Sequence, residues 1–204
     1  MEIKVDHPLI DSEIARIRQM TTLKDFRNSI KKISKLLAFP VLSRLETEEF
    51  RAKSVLGHEF LGHKIITKLV FIPILRAGFG MLDSFLEFAP YAKVAPIGLK
   101  RNSDLSIQTY FESLPQANPN SVAIVLEPIL ATGNTLIRAI EIILEKGYKK
   151  IVIATMLTVQ VGIDKILERY PQISIFFCQK DPKLNNKGYI IPGIGDAGDR
   201  FFSD

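Results

Sequence analysis

The chain of 204 residues has few of the residue types that mark several common protein classes. It contains one cysteine, Cys178, and no tryptophan. A single cysteine excludes an intramolecular disulfide framework and a cysteine-rich zinc module. Because Cys178 ends an apolar stretch, we expect it to lie in the core rather than to react. The scarcity of cysteine also favours a reducing compartment, so we expect a cytoplasmic protein.

Long apolar runs are missing as well. No run approaches the ~18 consecutive apolar residues of a membrane-spanning helix, and the apolar segment at 72–75 stops at Arg76. Segment 1–13 carries charges throughout and has no apolar centre, so it is not typical of a secretory signal. The C-terminus has no lipidation motif. We therefore expect no association with a membrane.

The excess of positive charge is small. Lys and Arg number 27 against 22 Asp and Glu, which gives a net charge of +5 and a sequence pI near 9.3. This balance suits anionic small-molecule substrates. The basic residues are not interleaved with aromatic residues in one patch, so we do not expect nucleic acid as a partner.

The N-terminal third has the pattern of helices. Thr22 and Asp25 form a capping-box pattern, and an apolar stripe at three- and four-residue spacing follows it. The stripe consists of Phe26, Ile30, Ile33 and Leu37. Segment 36–68 carries apolar residues that look exposed, and we predict a hairpin or arm there.

The rest of the chain alternates short apolar runs with helical patterns. The predicted strands are 69–75, 93–99, 121–126, 151–157 and 173–178, and the predicted helices are 81–89, 135–146 and 163–170. Uninterrupted apolar strands separated by helices predict an α/β fold with a mostly parallel central sheet flanked by helices. We interpret 1–204 as one domain, with N-terminal helices and arm (1–68), core (69–178) and a non-periodic C-terminal binding loop (179–204).

Two motif-like signals are weak. Gly78 and Gly80 begin a dinucleotide-binding fingerprint, but Asp83 stands where the third glycine belongs. His58 and His63 resemble the pair of a zinc-protease helix but are five residues apart rather than four. On a helix their imidazoles would point about 140° apart. We therefore predict a turn or hairpin around these histidines rather than a metal site.

Segment 127–135, EPILATGNT, carries stronger chemistry. A buried strand delivers Glu127, and a short loop then opens a helix whose N–H groups and hydroxyls converge as in a phosphate site. No lysine follows the glycine, so a Walker A loop and an ATPase or GTPase are disfavoured. Glu127 suits sugar hydroxyls or a divalent cation. The alternative is structural, with Asn134 or Thr132 capping the helix and Glu127 merely ending the strand.

Arg76 and Arg101 each follow a predicted strand at the same edge of the sheet. Ligands of such sheets bind beyond the carboxyl ends of the strands, and guanidinium groups bind phosphates in bidentate fashion. Together with the 127–135 segment, the two arginines indicate a ligand with several phosphate groups. The alternative for each is an ordinary salt bridge.

Several segments in order along the chain resemble the uracil phosphoribosyltransferase family. They are PILRAG at 73–78, GLKRN at 98–102, EPILATGNT at 127–135 and GYIIPGIGDAGDR at 188–200, with HPLI at 7–10 and the stretch 22–27 near the N-terminus. The C-terminal stretch is the most specific because it is similar to the pyrimidine-reading loop of this family. Glu127 stands where the family usually has Asp, Asn134 where it has Gly, and Lys100 where it has Tyr.

The resemblance implies transfer of ribose 5-phosphate from phosphoribosyl pyrophosphate (PRPP) to uracil, giving UMP and pyrophosphate in pyrimidine salvage. It implies Arg76, Arg101, Glu127 and Asp196 as catalytic residues. It implies that PRPP contacts Arg76, Arg101, Glu127, Pro128, Ile129, Leu130, Ala131, Thr132, Gly133, Asn134, Thr135 and Asp196. It implies that Tyr189, Ile190, Gly195, Asp196 and Ala197 bind uracil, so that 179–204 is the uracil-recognition loop.

The resemblance also implies Mg²⁺ as cofactor, held mainly through PRPP, with Asp196 as a candidate ligand. We expect the loop after Arg101, to about Tyr110, to close over PRPP and exclude water. A homodimer or larger homo-oligomer is implied. Whether GTP activates the enzyme, as it does in some members, stays open.

Two alternative functions remain at this point. One is a phosphoribosyltransferase for another nucleobase, against which the uracil-like C-terminal stretch argues. The other is a non-catalytic regulator on the same fold that senses PRPP or UMP, or binds RNA. Salt-sensitive RNA binding without base transfer would favour the regulator.

Overall fold

The computed structural model describes residues 1–101 and 106–202, with Arg101 described by its main chain alone. The helices are α1 (Pro8–Ile17), α2 (Leu23–Leu42), α3 (Phe79–Leu86), α4 (Asn134–Glu145), α5 (Gln160–Arg169) and α6 (Ala197–Phe202). The strands are β1 (Glu2–Lys4), β2 (Thr47–Lys53), β3 (Glu59–Ile65), β4 (Lys68–Leu75), β5 (Lys93–Val94), β6 (Ile97–Arg101), β7 (Ile107–Glu112), β8 (Ser121–Leu126), β9 (Ile129–Leu130), β10 (Lys150–Val159), β11 (Ser174–Asp181), β12 (Lys183–Leu184) and β13 (Ile190–Ile191).

The central sheet has the order β1-β11-β10-β8-β4-β6-β7, with β5 beside β4 and β9 beside β10. Every pairing in it is parallel except that of β6 with β7. The apolar side chains of α1, α2 and α3 pack on one face of the sheet, and those of α4 and α5 pack on the other. Burial of both faces explains why the central strands are apolar without alternation. The predicted fold class is confirmed.

Helix α2 begins where the capping pattern predicts. The Asp25 main-chain N–H donates to Thr22 Oγ1 over 3.1 Å, and the Thr22 hydroxyl donates to Asp25 Oδ2 over 2.8 Å. The four predicted stripe residues of this helix are all buried. The helix therefore covers the sheet with the face that the periodicity indicates.

The predicted strand 93–99 is wrong in one respect, because the structure divides it into β5 and β6. Pro96 lies in the gap and has no N–H to donate to a sheet ladder. The extent predicted for the loop after Arg101, to about Tyr110, is also wrong, because 107–112 form β7, antiparallel to β6. The rest of that loop, 102–105, lies outside the described residues.

Segment 47–65 forms the predicted hairpin. Strands β2 and β3 pair antiparallel, and the turn is closed by the Ser54 N–H, which donates to the His58 carbonyl over 2.8 Å. His63 lies on β3, so the two histidines do not share a helix. Several large apolar side chains of the hairpin are exposed, namely Phe50, Val55, Leu56, Phe60, Leu61 and Ile65.

Cys178 lies in the core with 1% of its surface exposed. Burial raises the pKa of its thiol to about 12, so the reactive thiolate is disfavoured. The prediction of an inert core cysteine agrees with this position. Within residues 1–101 and 106–202, every helix is too short or too polar to cross a bilayer.

Candidate active site

A cleft of about 520 Å³ opens beyond the carboxyl ends of β4 and β8. Its walls include Arg76 after β4, Glu127 after β8, and a long stretch of the C-terminal segment, 187–190 and 194–198. A smaller pocket of about 170 Å³ adjoins it and is lined by the 129–136 loop. Glu127 borders both spaces. The predicted location, at the carboxyl edge of a parallel sheet, is where the cleft lies.

The 129–136 loop is held firmly against β10. The N–H groups of Met156 and Leu157 both donate to the Pro128 carbonyl, over 3.1 and 3.0 Å. Gly133 then adopts a φ of +81°, which favours glycine, and α4 starts at the next residue. Neither Asn134 nor Thr132 caps this helix, because Gly133 is the N-cap and makes no side-chain hydrogen bond. The structural alternative of a side-chain cap is therefore wrong, and the helix start borders the smaller pocket.

Glu127 is placed at the junction of the two spaces by β8. Its main-chain N–H donates to the Ala154 carbonyl over 3.2 Å, and its Oε1 accepts the Ile129 N–H over 3.4 Å. Burial of the carboxyl is the main reason that the pKa of Glu127 is raised to about 8. The Ile129 N–H opposes this rise, and the negative charge of nearby Asp196 adds to it. At neutral pH the free protein therefore favours the protonated form of Glu127.

Arg76 lies at the rim of the cleft, after a cis peptide bond between Leu75 and Arg76. Its Nη2 donates to Asp199 Oδ1 of α6 over 2.8 Å, and the two side chains are 57% and 65% exposed. An ion pair this exposed is weak, so a phosphate can replace Asp199 at small cost. Only the main chain of Arg101 is described, in β6, so the role predicted for its side chain lies outside the described residues.

The C-terminal segment brings the predicted uracil-binding residues to the cleft. Tyr189, Ile190, Gly195, Asp196 and Ala197 all line it. The prediction that this tail has no regular structure is wrong, because β12 and β13 form a small hairpin and α6 follows. Its local hydrogen bonds explain this, since Oδ1 of the turn residue 185 accepts the N–H groups of 187 and 189.

Two groups that the sequence analysis missed hold this segment in place. Arg18, which caps the end of α1, donates to both carboxylate oxygens of Asp181 and to the Gly193 carbonyl. Asp181 Oδ2 also accepts the Gly193 N–H over 3.0 Å, and the Asp181 side chain is only 3% exposed. An acidic residue at the end of an apolar strand is the signal that could have pointed to Asp181.

Arg200 is the second such group. Its guanidinium donates to the carbonyls of Ile17, Ile194 and Gln19 and to the Thr21 hydroxyl. It also lies 4.2 Å from the centroid of the Phe26 ring. These contacts fasten the C-terminal segment to the junction of α1 and α2, so the N-terminal helices help to shape the cleft.

Carboxylates in the cleft limit what metal the protein can hold by itself. Glu127 and Asp196 both border it, but the described part of the chain contains no group of three or more His, Cys, Asp or Glu side chains that could ligate a metal ion. Mg²⁺ prefers sites of one or two carboxylates completed by substrate phosphates and water. The donors present fit that type of site.

Comparisons with known proteins agree with the geometry. Residues 4–203 match the family model described as uracil phosphoribosyltransferase. A uracil phosphoribosyltransferase from Thermosipho melanesiensis is 41% identical over 97% of this chain and 96% of its own length. One from Mesoplasma florum is 39% identical over 98% of this chain and 97% of its own length.

Solved structures agree at the level of the fold. A protein from Aquifex aeolicus matches with a TM-score of 0.92 and 33% identity, covering 100% of this chain and 98% of its own. A hypoxanthine phosphoribosyltransferase from Staphylococcus aureus shares the fold alone, with a TM-score of 0.53 and 14% identity over 78% of this chain and 76% of its own. The predicted family is confirmed: the chain belongs to the uracil phosphoribosyltransferase family.

Proposed function

We propose that this chain transfers ribose 5-phosphate from PRPP to N1 of uracil, releasing pyrophosphate and forming UMP. One observation carries the proposal: a single cleft joins the 129–136 loop, Glu127, Arg76 and the 187–198 segment. The loop suits a phosphate, the carboxyl suits a ribose, and the C-terminal segment suits a flat polar base. PRPP and uracil together present these features.

The 5-phosphate would lie in the smaller pocket. The main chain of 131–135 and the first turn of α4 surround that space, and the uncapped N–H groups of a helix start favour an anion. Pro128, Ile129 and Leu130 contribute through their main chain, which fixes the loop against β10. No lysine within the loop itself is needed for such a site.

The ribose would then lie against Glu127, which borders both spaces. From there the pyrophosphate extends toward the rim, where Arg76 would exchange Asp199 for phosphate oxygens. Breaking the bond between C1 and the pyrophosphate oxygen builds positive charge on the ribose and negative charge on the leaving group. Arg76 stabilises the developing negative charge more in the transition state than in the ground state, which is what accelerates the step. We propose the same role for Arg101.

Mg²⁺ would be held by PRPP oxygens together with Glu127 and Asp196. When bound, it neutralises charge on the leaving pyrophosphate. The two carboxyls already interact electrostatically, since the charge of Asp196 raises the pKa of Glu127. A cation between them would reverse that effect and favour the ionised form of both.

Uracil would lie along the 189–197 segment. Asn185 occupies both the N–H and the carbonyl of Tyr189, so Tyr189 offers its ring rather than its main chain. The N–H and carbonyl of Gly195 have no hydrogen-bond partner within the described residues, and Gly195 adopts a φ of +75°. Main-chain groups in a fixed loop can match the acceptor–donor–acceptor edge of uracil, and cytosine would leave buried groups unpaired.

The test is direct. Purified protein is incubated with PRPP, Mg²⁺ and uracil, and UMP is followed by chromatography, with cytosine and purine bases as controls. We expect UMP from uracil alone. A product from another base would reassign the nucleobase, and binding of PRPP or UMP without turnover would indicate a regulator on this fold.

We also propose that the chain forms a homodimer or larger homo-oligomer. The exposed apolar side chains of the β2–β3 hairpin, including Phe60 at 45% and Leu61 at 60% exposure, support this proposal. Sedimentation equilibrium of the whole chain is the measurement. A strictly monomeric protein at micromolar concentration would contradict it.

A further inference from the structure

Helix α5 packs unusually closely on the 129–136 loop. A Cβ added to Gly162 of α5 would lie 2.2 Å from the Ala131 carbonyl oxygen, and one added to Gly133 would lie 3.1 Å from the Gly162 carbonyl oxygen. These distances leave no room for a side chain at Gly162. The first turn of α5 is therefore part of the wall behind the proposed phosphate pocket.

Lys165 lies one turn beyond Gly162 on the same face of α5, because residues three apart in a helix are neighbours. Its Nζ donates a hydrogen bond to Asn134 Oδ1. Asn134 is the first residue of α4 and lines the smaller pocket. The Lys165 ammonium group is thus hydrogen-bonded to a residue that lines the pocket.

The charge of Lys165 is not neutralised by the protein. Within the described residues it pairs with no carboxylate, since its hydrogen bond goes to a neutral amide. The neighbouring carboxylate, Asp164, instead accepts a hydrogen bond from Gln160 over 2.8 Å. A solvent-exposed lysine held by an amide keeps its full charge available for an anion.

We propose that Lys165 binds the 5-phosphate of PRPP and UMP, with Asn134 as the residue that positions it. The loop itself supplies N–H groups and hydroxyls but no cation, and Lys165 supplies that cation from the adjacent helix. The proposal rests on the proposed function for the identity of the ligand. It adds a residue that no part of the 127–135 motif contains.

The test compares two ligands that differ only in the phosphate. Calorimetry gives the dissociation constants of UMP and of uridine for the wild type and for Lys165→Met, which keeps an unbranched side chain of similar length and removes its charge. We expect UMP to bind about tenfold more weakly to the variant, as for the loss of one charged hydrogen bond. Uridine binding should stay within twofold. In turnover, KM for PRPP should rise about tenfold with kcat little changed.

Three further variants sharpen the result. Lys165→Arg should recover most of the UMP affinity, and Asn134→Ala should weaken UMP binding by a smaller factor, about threefold. Lys149→Met removes the same unit charge from an exposed lysine next to the amino end of β10, far from the carboxyl edge where the pocket opens. It should leave both ligands unaffected.

Equal weakening of UMP and uridine in Lys165→Met would mean a structural role and would overturn the proposal, as would unchanged UMP binding. Failure of the proposed function is seen separately, in the wild type: it would form no UMP from uracil and PRPP. A wild type that binds UMP no better than uridine would overturn the proposal for Lys165, whether or not the protein forms UMP.

Discussion

Raising the pH from 7 to 9 should strengthen the binding of Mg²⁺-PRPP to the free protein, because Glu127 ionises over this range. The proposed contacts of Glu127 with the cation need its carboxylate form. Its pKa of about 8 means that the free protein mostly holds the neutral acid at pH 7. Binding at pH 7 must therefore first release a proton, and that requirement disappears above the pKa.

The size of the effect follows from the ionised fraction. With a pKa of about 8, about one tenth of the free protein carries the Glu127 carboxylate at pH 7 and about nine tenths at pH 9. If only that form binds, the association constant should rise about tenfold over the two pH units. An unperturbed glutamate with a pKa near 4.5 would give no change over this range.

Isothermal titration calorimetry is the suitable assay because the chain has no tryptophan to report binding by fluorescence. The control is Glu127→Gln, which cannot ionise and therefore reports the pH dependence that PRPP itself contributes. The ratio of wild-type to variant affinity isolates Glu127. Glu127→Asp provides a second control, because it keeps an ionisable group at the same position.

A wild-type profile parallel to that of Glu127→Gln between pH 7 and 9 would refute the reasoning. It would mean either that Glu127 is already ionised in the free protein or that the neutral acid binds Mg²⁺-PRPP as well as the carboxylate does. Proton release measured in buffers of different ionisation enthalpy separates the two. Release at pH 7 that vanishes at pH 9 supports the mechanism.

Three other outcomes follow from the same structure. The folded state keeps a proton on Glu127 that the unfolded chain releases, so the stability of the protein should fall as the pH rises from 4.5 to about 8. In thermal melts, Glu127→Gln should therefore have a higher Tm than the wild type at pH 8 and the same Tm at pH 4. Equal Tm values at both pH values would contradict this prediction. Gly162→Ala should lower the free energy of unfolding by about 1–3 kcal/mol, because the added methyl group overpacks against Ala131. Thermal melts should show this as a Tm lowered by several degrees. The variant should also raise KM for PRPP more than KM for uracil. Asp181→Asn weakens the partner of Arg18, and urea titration should show a loss of about 3–5 kcal/mol in the free energy of unfolding. KM for uracil should rise more than KM for PRPP. Equal rises in the two KM values would mean that Asp181 does not act through the 193–197 segment.

Much of the fold and of the 127–135 segment could be predicted because the information is local. Apolar runs such as 121–126 are bounded by polar residues and turn formers, so strand β8 is recognisable from its own sequence. The EPILATGNT segment runs from the residue after β8 through the turn at Gly133 to the start of α4 within nine consecutive residues. The anion-binding character of this segment can therefore be predicted without knowledge of any distant contact.

The supports of the C-terminal segment could not be predicted because their partners are distant. Arg18 and Asp181 are separated by 163 positions, and Arg200 reaches carbonyls 181 and 183 positions away. From sequence alone, a charged residue near a helix end is predicted to be solvent-exposed, because its distant partner is not known. Strand β7 was missed for a related reason, since its alternating exposure reflects an edge position beside β6 that only the sheet order defines.

The charged residues around the cleft divide into two kinds by how completely the protein itself satisfies them. Arg18 and Asp181 form a buried pair whose remaining polar atoms are taken up by Gly193, so exchanging either partner for a ligand would leave a buried charge. Among the residues that the structure describes, the only charged partner of Arg76 is an exposed carboxylate, and burial disfavours the charged form of Glu127. A polyanionic ligand with its cation would stabilise the charges of the second kind, whereas it would disrupt the pairing of the first kind. The division supports the proposed positioning role of Arg18 and Asp181 and the proposed substrate contact of Arg76 and Glu127 on energetic grounds that are independent of the sequence motifs.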